Sequence, residues 1–273
     1  MPRKEWQERA SKFGQGAKIY DKTRPGYPLD GIRWTLGEKP RTVLDLGAGT
    51  GILTRLLLDE GHHVTAAEPD EAMRELIGAS SAALSVLPSA AEKIDLPDGS
   101  VDVVLASHAY HWFDPEPAHA EIARVLRPGG LFAALWNLRD EDVAWSAELS
   151  RILSDEDAGT DPETPAAIML HGALGALRSG EKDRLTGWLR RPTFGPRFSA
   201  IEQAFFPHTE TTTAESLLEL ITSRSYYLNS PPERREEIEE QVKQLTDTHP
   251  DLAGREEFEL PYVTVVFKAV RPA

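Results

Sequence analysis

Residues 43 to 51 read Val43-Leu44-Asp45-Leu46-Gly47-Ala48-Gly49-Thr50-Gly51. A short apolar run gives way to three glycines at alternate positions, and Ile52, Leu53, Leu56 and Leu57 then recur at helical spacing until Gly61. Strand, glycine turn and amphipathic helix in that order open a βα unit. Glycine lets the backbone turn tightly there and brings its N–H groups close to a ligand without side-chain interference.

Downstream, short apolar runs alternate with helical spacing, which predicts βα units around a parallel sheet. Four further strands are expected at 64–67, 83–87, 101–106 and 131–136. A helix is expected from Pro115 to Leu126, with Arg127-Pro128-Gly129-Gly130 as its stop and turn. Residues 1–36 hold Trp6, Phe13, Tyr20, Tyr27 and Trp34 in a polar background and read as one or two cap helices. Residues 137–195 are charged and weakly periodic, which predicts a helical insertion over the carboxyl edge of the sheet. The remainder predicts a sixth strand near Ala204-Phe205-Phe206, helices over 214–224 and 232–246, and a β-forming last strand from Tyr262 to Ala269.

Glu68 follows the second strand, 21 residues after Gly47. An acid at that place can accept hydrogen bonds from both hydroxyls of a ribose. A dinucleotide fingerprint would need a glycine at the position of Ile52, so the loop suits a phosphate-free ligand with a cationic sulfonium and an amino acid end better. Asp70 is placed to cap the next helix.

Bulk properties narrow the classes. The 273 residues carry a formal charge of −14, which on average repels phosphate backbones, so no nucleic-acid partner is expected. No apolar run approaches the ~20 residues of a membrane span, and the start is polar, so a cytoplasmic enzyme with no membrane association is expected. The chain lacks cysteine, which excludes disulfides, thiolate metal sites and thiol nucleophiles. No His/carboxylate cluster at ligand spacing suggests a metal, and His62-His63 read as surface residues.

Taken together, the glycine segment, Glu68-Pro69, Ala91-Glu92, Leu96-Pro97-Asp98-Gly99-Ser100-Val101-Asp102 and Val125-Leu126-Arg127-Pro128-Gly129-Gly130 resemble the class I S-adenosylmethionine-dependent methyltransferases. The resemblance is to the small-molecule branch, the methyltransferase type 11 or trans-aconitate methyltransferase-like proteins. Phe13-Gly14, Tyr20, Arg24-Pro25, Tyr27-Pro28 and Arg224-Ser225-Tyr226 are similar to that branch as well.

The resemblance implies an α/β fold: a Rossmann-like, seven-stranded, mostly parallel sheet with helices on both faces, an antiparallel last strand, an N-terminal helical cap and a helical insertion. It implies one domain over 1–273, with the cap at 1–36, the cofactor-binding core at 41–136, the insertion at 137–195 and the rest of the sheet at 196–273. S-adenosylmethionine would meet Asp45, Gly47, Ala48, Gly49 and Gly51 at its methionine end, Glu68 and Pro69 at the ribose, and Ala91 and Glu92 at the adenine edge. Many relatives carry an aspartate where this chain has Ala90. Ser107 and His108 would lie beside the transferable methyl, and Tyr20 and Arg24 would close over the cofactor, with Arg24 toward its carboxylate. Ser107-His108-Ala109-Tyr110-His111-Trp112-Phe113 follows the fourth strand, where such sheets place ligands. His108 and His111 are the candidate general bases, because imidazole titrates near neutral pH. Tyr20, His111, Trp112, Arg224 and Tyr226 are the candidate contacts to a small-molecule acceptor.

Two other readings stay open at this level. One is a catalytically silent S-adenosylmethionine binder acting as a sensor or partner protein. The other is a nicotinamide-dependent oxidoreductase, against which stand the absent third glycine and the lack of a Tyr-x-x-x-Lys dyad.

Overall fold

The computed structural model describes residues 17–78, 81–153, 164–179 and 192–273. Seven strands form one sheet in the order β3-β2-β1-β4-β5-β7-β6. β1 (Thr42–Leu46), β2 (His63–Ala67), β3 (Leu84–Leu87), β4 (Val101–Ser107) and β5 (Leu126–Arg139) run parallel. β7 (Phe258–Val270) is antiparallel to both β5 and β6 (Glu202–Thr212). The expected class therefore holds, down to the antiparallel last strand.

Inward-facing β1 residues Val43, Leu44 and Leu46 are wholly shielded from solvent, as a central parallel strand covered on both faces requires. On one face, α2 (Leu29–Leu36) and α3 (Ile52–Asp59) bury Ile32, Leu36, Leu53 and Leu57 against Val64, Val103 and Leu135. On the other, α5 (Pro115–Val125) buries Ala118 and Ile122 beside an aromatic group in which Phe132 and Phe194 lie 4.4 Å apart. A further apolar cluster joins α6 (Ala144–Ile152) to α8 (Ala214–Thr222) and α10 (Pro232–Thr248) through Leu149, Leu217, Val242 and Tyr262.

The cap supplies α1 (Ala17–Thr23) and α2, while Trp6 and Phe13 lie outside the described residues. From the insertion, α6 and α7 (Pro165–Ser179) are described. Asp70 caps α4 (Glu71–Leu76) as expected, its Oδ1 accepting the Met73 N–H at 2.9 Å. Gly61 ends α3's turn with φ 83°, the left-handed conformation open to glycine.

Strand ends differ from expectation. β5 starts at Leu126, so the Arg127-Pro128-Gly129-Gly130 stretch belongs to the strand, and it continues past Trp136 because Asn137, Leu138 and Arg139 pair with Thr264, Val263 and Tyr262. The polar Asn137 and Arg139 hide that continuation in the sequence. β6 runs eleven residues through Pro207, which an edge strand tolerates because its N–H can point away from the ladder. β7 begins four residues earlier than expected, at Phe258. The helix expected over 214–224 stops at Thr222 and is followed by the short α9 (Ser225–Asn229). His62 is not a surface residue. It is 4% exposed and its Nδ1 accepts the Arg41 N–H, whereas His63 is exposed.

Candidate active site

The sheet changes winding direction between β1 and β4, since β2 and β3 lie to one side of β1 and β4, β5, β7 and β6 to the other. Loops leaving the carboxyl ends of adjacent strands part there and open a crevice, the usual ligand position in such sheets. A cavity of about 370 Å³ occupies that place. Its wall is built from the segments just beyond the strand ends: Gly47–Thr50 and Ile52 after β1, Glu68–Asp70 after β2, Ser89–Glu92 after β3 and Ser107–Ala109 at the end of β4.

Within the glycine loop each glycine has its own reason. Gly47 has φ 74°, and a Cβ on it would sit 2.5 Å from the Ala109 Cβ. Gly49 has φ 57° and faces open space, so the backbone is bare toward the cavity. Gly51, expected among the cofactor contacts, does not line the cavity. Its φ of 85° starts α3, and a Cβ there would meet the Ile77 Cα at 3.1 Å.

Four acidic residues line the cavity, Asp45, Glu68, Asp70 and Glu92, and the first two are buried. Asp45 is fully buried, and its Oδ2 accepts the Thr54 hydroxyl at 2.6 Å while Oδ1 has no partner. Burial, relieved in part by Thr54, pushes its carboxyl up to about 7. Glu68 is 8% exposed and holds two backbone N–H groups, Gly49 to Oε2 at 2.9 Å and Asp70 to Oε1 at 2.8 Å. Burial also raises its pKa, against those two bonds. Glu92 lines the cavity beside Ala90 and Ala91, and its Oε1 accepts the Asp114 N–H.

His108 is the one described non-glycine residue with positive φ, 48°. The Asn137 backbone N–H donates to its Nε2 at 2.8 Å. An amide N–H can only donate, so the neutral ring carries its proton on Nδ1. Burial, then the charge of Arg224, holds its pKa well below the ordinary imidazole value. His111 follows the same logic: Trp136 Nε1–H points at its Nδ1 over 3.4 Å, and burial pushes it down to about 4. His111 does not reach the cavity wall and packs at a tilt of 43° against Trp112, which does, with ring centroids 4.7 Å apart.

A side chamber adjoins the cavity, sharing Tyr20, Tyr27, Ile52 and His108 with it, and is closed by Arg24, Pro25 and Arg224. Arg24 lies over the Tyr20 ring at 4.5 Å. Tyr226 lines neither space and packs against the α6–α8–α10 cluster. Of the residues expected at the site, the structure thus brings together Tyr20, Asp45, Gly47, Ala48, Gly49, Glu68, Pro69, Ala91, Glu92, Ser107, His108 and Trp112 around one cavity. Arg24 and Arg224 meet beside it.

Several wall residues were not assigned from sequence. Tyr27 is hydrogen-bonded to Ser107, and Thr50, Met73 and Phe113 complete the wall. Asn137, which lines neither space, is the most informative residue behind the wall: besides fixing His108 through its backbone N–H, its Nδ2 donates to the Gly26 carbonyl at 2.8 Å and its Oδ1 accepts from the Thr264 hydroxyl. Glu210 accepts the Gly26 N–H, so the cap loop is pinned from both sides. Only the Arg24-Pro25 and Tyr27-Pro28 motif hinted that this loop mattered.

A family model described as a methyltransferase domain matches residues 44–134. An uncharacterised methyltransferase of Mycobacterium tuberculosis is 38% identical over 257 residues, covering 94% of each chain. A methyltransferase-like protein of Schizosaccharomyces pombe is 28% identical over 92% of this chain and 91% of its own. Among solved structures, a protein described as a methyltransferase from an antibiotic biosynthesis pathway of Anabaena variabilis superposes with TM-score 0.56 at 20% identity, covering 87% of this chain and 95% of that one. The chain belongs to the methyltransferases, and its sheet has the fold of the solved structures it resembles.

Proposed function

We propose that this enzyme binds S-adenosylmethionine in the cavity at the β1/β4 switch point and transfers its methyl to a compact small molecule. The observation that carries this reading is the Asp45 Oδ1, a buried carboxylate oxygen without a partner beside bare glycine backbone. A buried, unpaired carboxylate is costly, and a ligand ammonium would complete it. Glu68, with one lone pair on each oxygen already used by the backbone, is oriented for a ribose diol at the next position along the wall. Ala90, Ala91 and Glu92 form the edge where an adenine would lie, the backbone standing in for the aspartate that many relatives have. The volume suits such a ligand, since small-molecule pockets run to roughly 300–1,000 Å³.

When bound, the sulfonium supplies an already activated methyl. The chain's own residues then need chiefly to align the acceptor and exclude water. Tyr20 and Tyr27 cover the cavity from the cap, and Ser107, His108 and Trp112 face the transfer side. His108, neutral with its proton on Nδ1, acts as a hydrogen-bond donor that orients the acceptor instead of as a base. His111 supports Trp112 from behind. A sheet that draws its strands from Thr42 to Val270, with the cap loop tied to it by Asn137, supports reading the chain as one domain around one site. The cap residues Tyr20 and Tyr27 on the cavity wall favour a small acceptor over a macromolecule.

Calorimetry with S-adenosylhomocysteine tests the cofactor assignment. Incubation with methyl-labelled cofactor and a metabolite extract, followed by mass spectrometry, tests transfer. Label in metabolites is the expected result, and label in proteins or nucleic acids, or none anywhere, overturns the reading.

A further inference from the structure

One line of polar side chains crosses three strands of the sheet beneath the cap loop. Asn137 on β5 pairs with Thr264 on β7, and on β6 His208 pairs with Tyr262 and Glu210 with Leu260. Side chains alternate along a strand and paired residues point the same way, so Asn137, Thr264, Tyr262, His208 and Glu210 share one face. Thr264 and Asn137 are buried, and His208 is half-buried.

The partners fix the protons along that line. A backbone carbonyl can only accept, so Asn137 turns Nδ2 to the Gly26 carbonyl at 2.8 Å and leaves Oδ1 for the Thr264 hydroxyl at 2.6 Å. The single hydroxyl proton is then spent. Toward His208 Nε2, 3.1 Å away, Thr264 can only accept, so Nε2 carries a proton. Burial lowers the His208 pKa, so the ring is neutral near pH 7 and this bond selects its tautomer. The ring is stacked on Tyr262 with centroids 5.7 Å apart, which holds its plane. From the same strand Glu210 Oε1 accepts the Gly26 N–H at 2.9 Å. Both backbone groups of Gly26 are thus gripped from the sheet, and the next residue, Tyr27, is hydrogen-bonded to Ser107 on the cavity wall.

We propose that Thr264 and His208 are positioning residues of the transfer site, acting through the Asn137 amide on the cap loop. The His208 Nε2–H holds the Thr264 hydroxyl with its proton toward Asn137. That proton in turn keeps the amide from reversing, because a reversed amide would set Oδ1 against the Gly26 carbonyl, two acceptors face to face. The height of Tyr27 over the cavity follows from that grip. This rests on S-adenosylmethionine occupying the cavity that Tyr27 covers.

The test measures affinity and dissociation rate of S-adenosylhomocysteine, with hydrogen exchange of residues 24–28 followed on the same proteins. Thr264→Val removes the hydroxyl at similar volume and weakens binding roughly fivefold, through faster dissociation. His208→Phe keeps a ring on Tyr262 but gives the hydroxyl no donor, and weakens binding roughly threefold. Thr264→Ser and His208→Gln, which restore a hydroxyl and an N–H, stay within about twofold of wild type. Adding Thr264→Val to Asn137→Ala costs nothing further, because the hydroxyl acts through the amide. Exchange speeds up at 24–28 and not along β7. Wild-type affinity in Thr264→Val, equal losses in the conservative variants, a fully additive double variant, or exchange that rises as much along β7 overturns the proposal and leaves the cofactor reading standing. Wild-type protein that binds no S-adenosylhomocysteine overturns both.

Discussion

The Glu68 carboxylate accepts the Gly49 N–H at 2.9 Å, so a side chain at the tip of β2 fixes the height of the glycine loop that follows β1. The same carboxylate holds the Asp70 N–H, which begins α4. One residue thus shapes two loops of the cavity, and in the proposed reading its remaining lone pairs serve the ligand. Glu68→Ala should weaken S-adenosylhomocysteine by ~1–3 kcal/mol through loss of charge-assisted bonds. Glu68→Gln, which keeps one acceptor oxygen, should lose less. Calorimetry on both variants checks the order.

Gly49 and Gly51 look equivalent in the sequence and should not behave alike. Gly51→Ala places a Cβ 3.1 Å from the Ile77 Cα at a left-handed φ, and should cost roughly 1–2 kcal/mol of stability while sparing ligand affinity in the folded fraction. Gly49→Val puts a branched side chain into the open space of the cavity and should abolish binding. Urea unfolding and calorimetry on the two proteins separate these effects, and equal binding losses would refute the distinction.

In the proposed reading, Asp45 should make cofactor affinity depend on pH. Its carboxyl, raised to about 7, is half protonated at neutral pH in the free protein, and an ammonium ligand requires the charged form. Affinity for S-adenosylhomocysteine should therefore rise as pH increases from 6 to 8, with proton release seen as a buffer-dependent heat. For the free protein, the folded value exceeds the ordinary 3.8, so the native state binds more protons between the two and stability falls as pH rises through that window. Asp45→Asn should flatten both dependences.

The histidines make an opposite prediction. Burial keeps His108 and His111 neutral through the physiological range, and the acceptor nitrogen of each already faces a protein N–H. At saturating cofactor, kcat should show no acid limb near pH 6.5. A limb there, abolished by His108→Gln, would restore the role of general base.

Asn137→Ala removes the bonds to the Gly26 carbonyl and the Thr264 hydroxyl. Leaving the Gly26 carbonyl unpaired, while the Thr264 hydroxyl keeps His208 Nε2 as a neighbour, should cost ~1–3 kcal/mol in stability and free the cap loop that carries Tyr27. Denaturant unfolding gives the first number. A drop in S-adenosylhomocysteine affinity would show the second effect.

The part that the sequence determined by itself is local. Leu44-Asp45-Leu46 before alternate glycines, and Glu68 at the next strand's end, define a βα turn and its acid, because adjacent residues share one backbone path and strand spacing fixes where the next tip falls. The sheet class came from the same periodicity. Only the tertiary structure decided which glycine faces the cavity, that His62 is buried, and that β5 runs on through Asn137 to Arg139. The same holds for the tautomer of His108, set by an amide 29 residues away, and for the meeting of Arg24 with Arg224, 200 positions apart in the chain. Those relations depend on how the cap and the last helices fold back over the sheet, and contacts between segments so distant leave no periodic trace in the sequence.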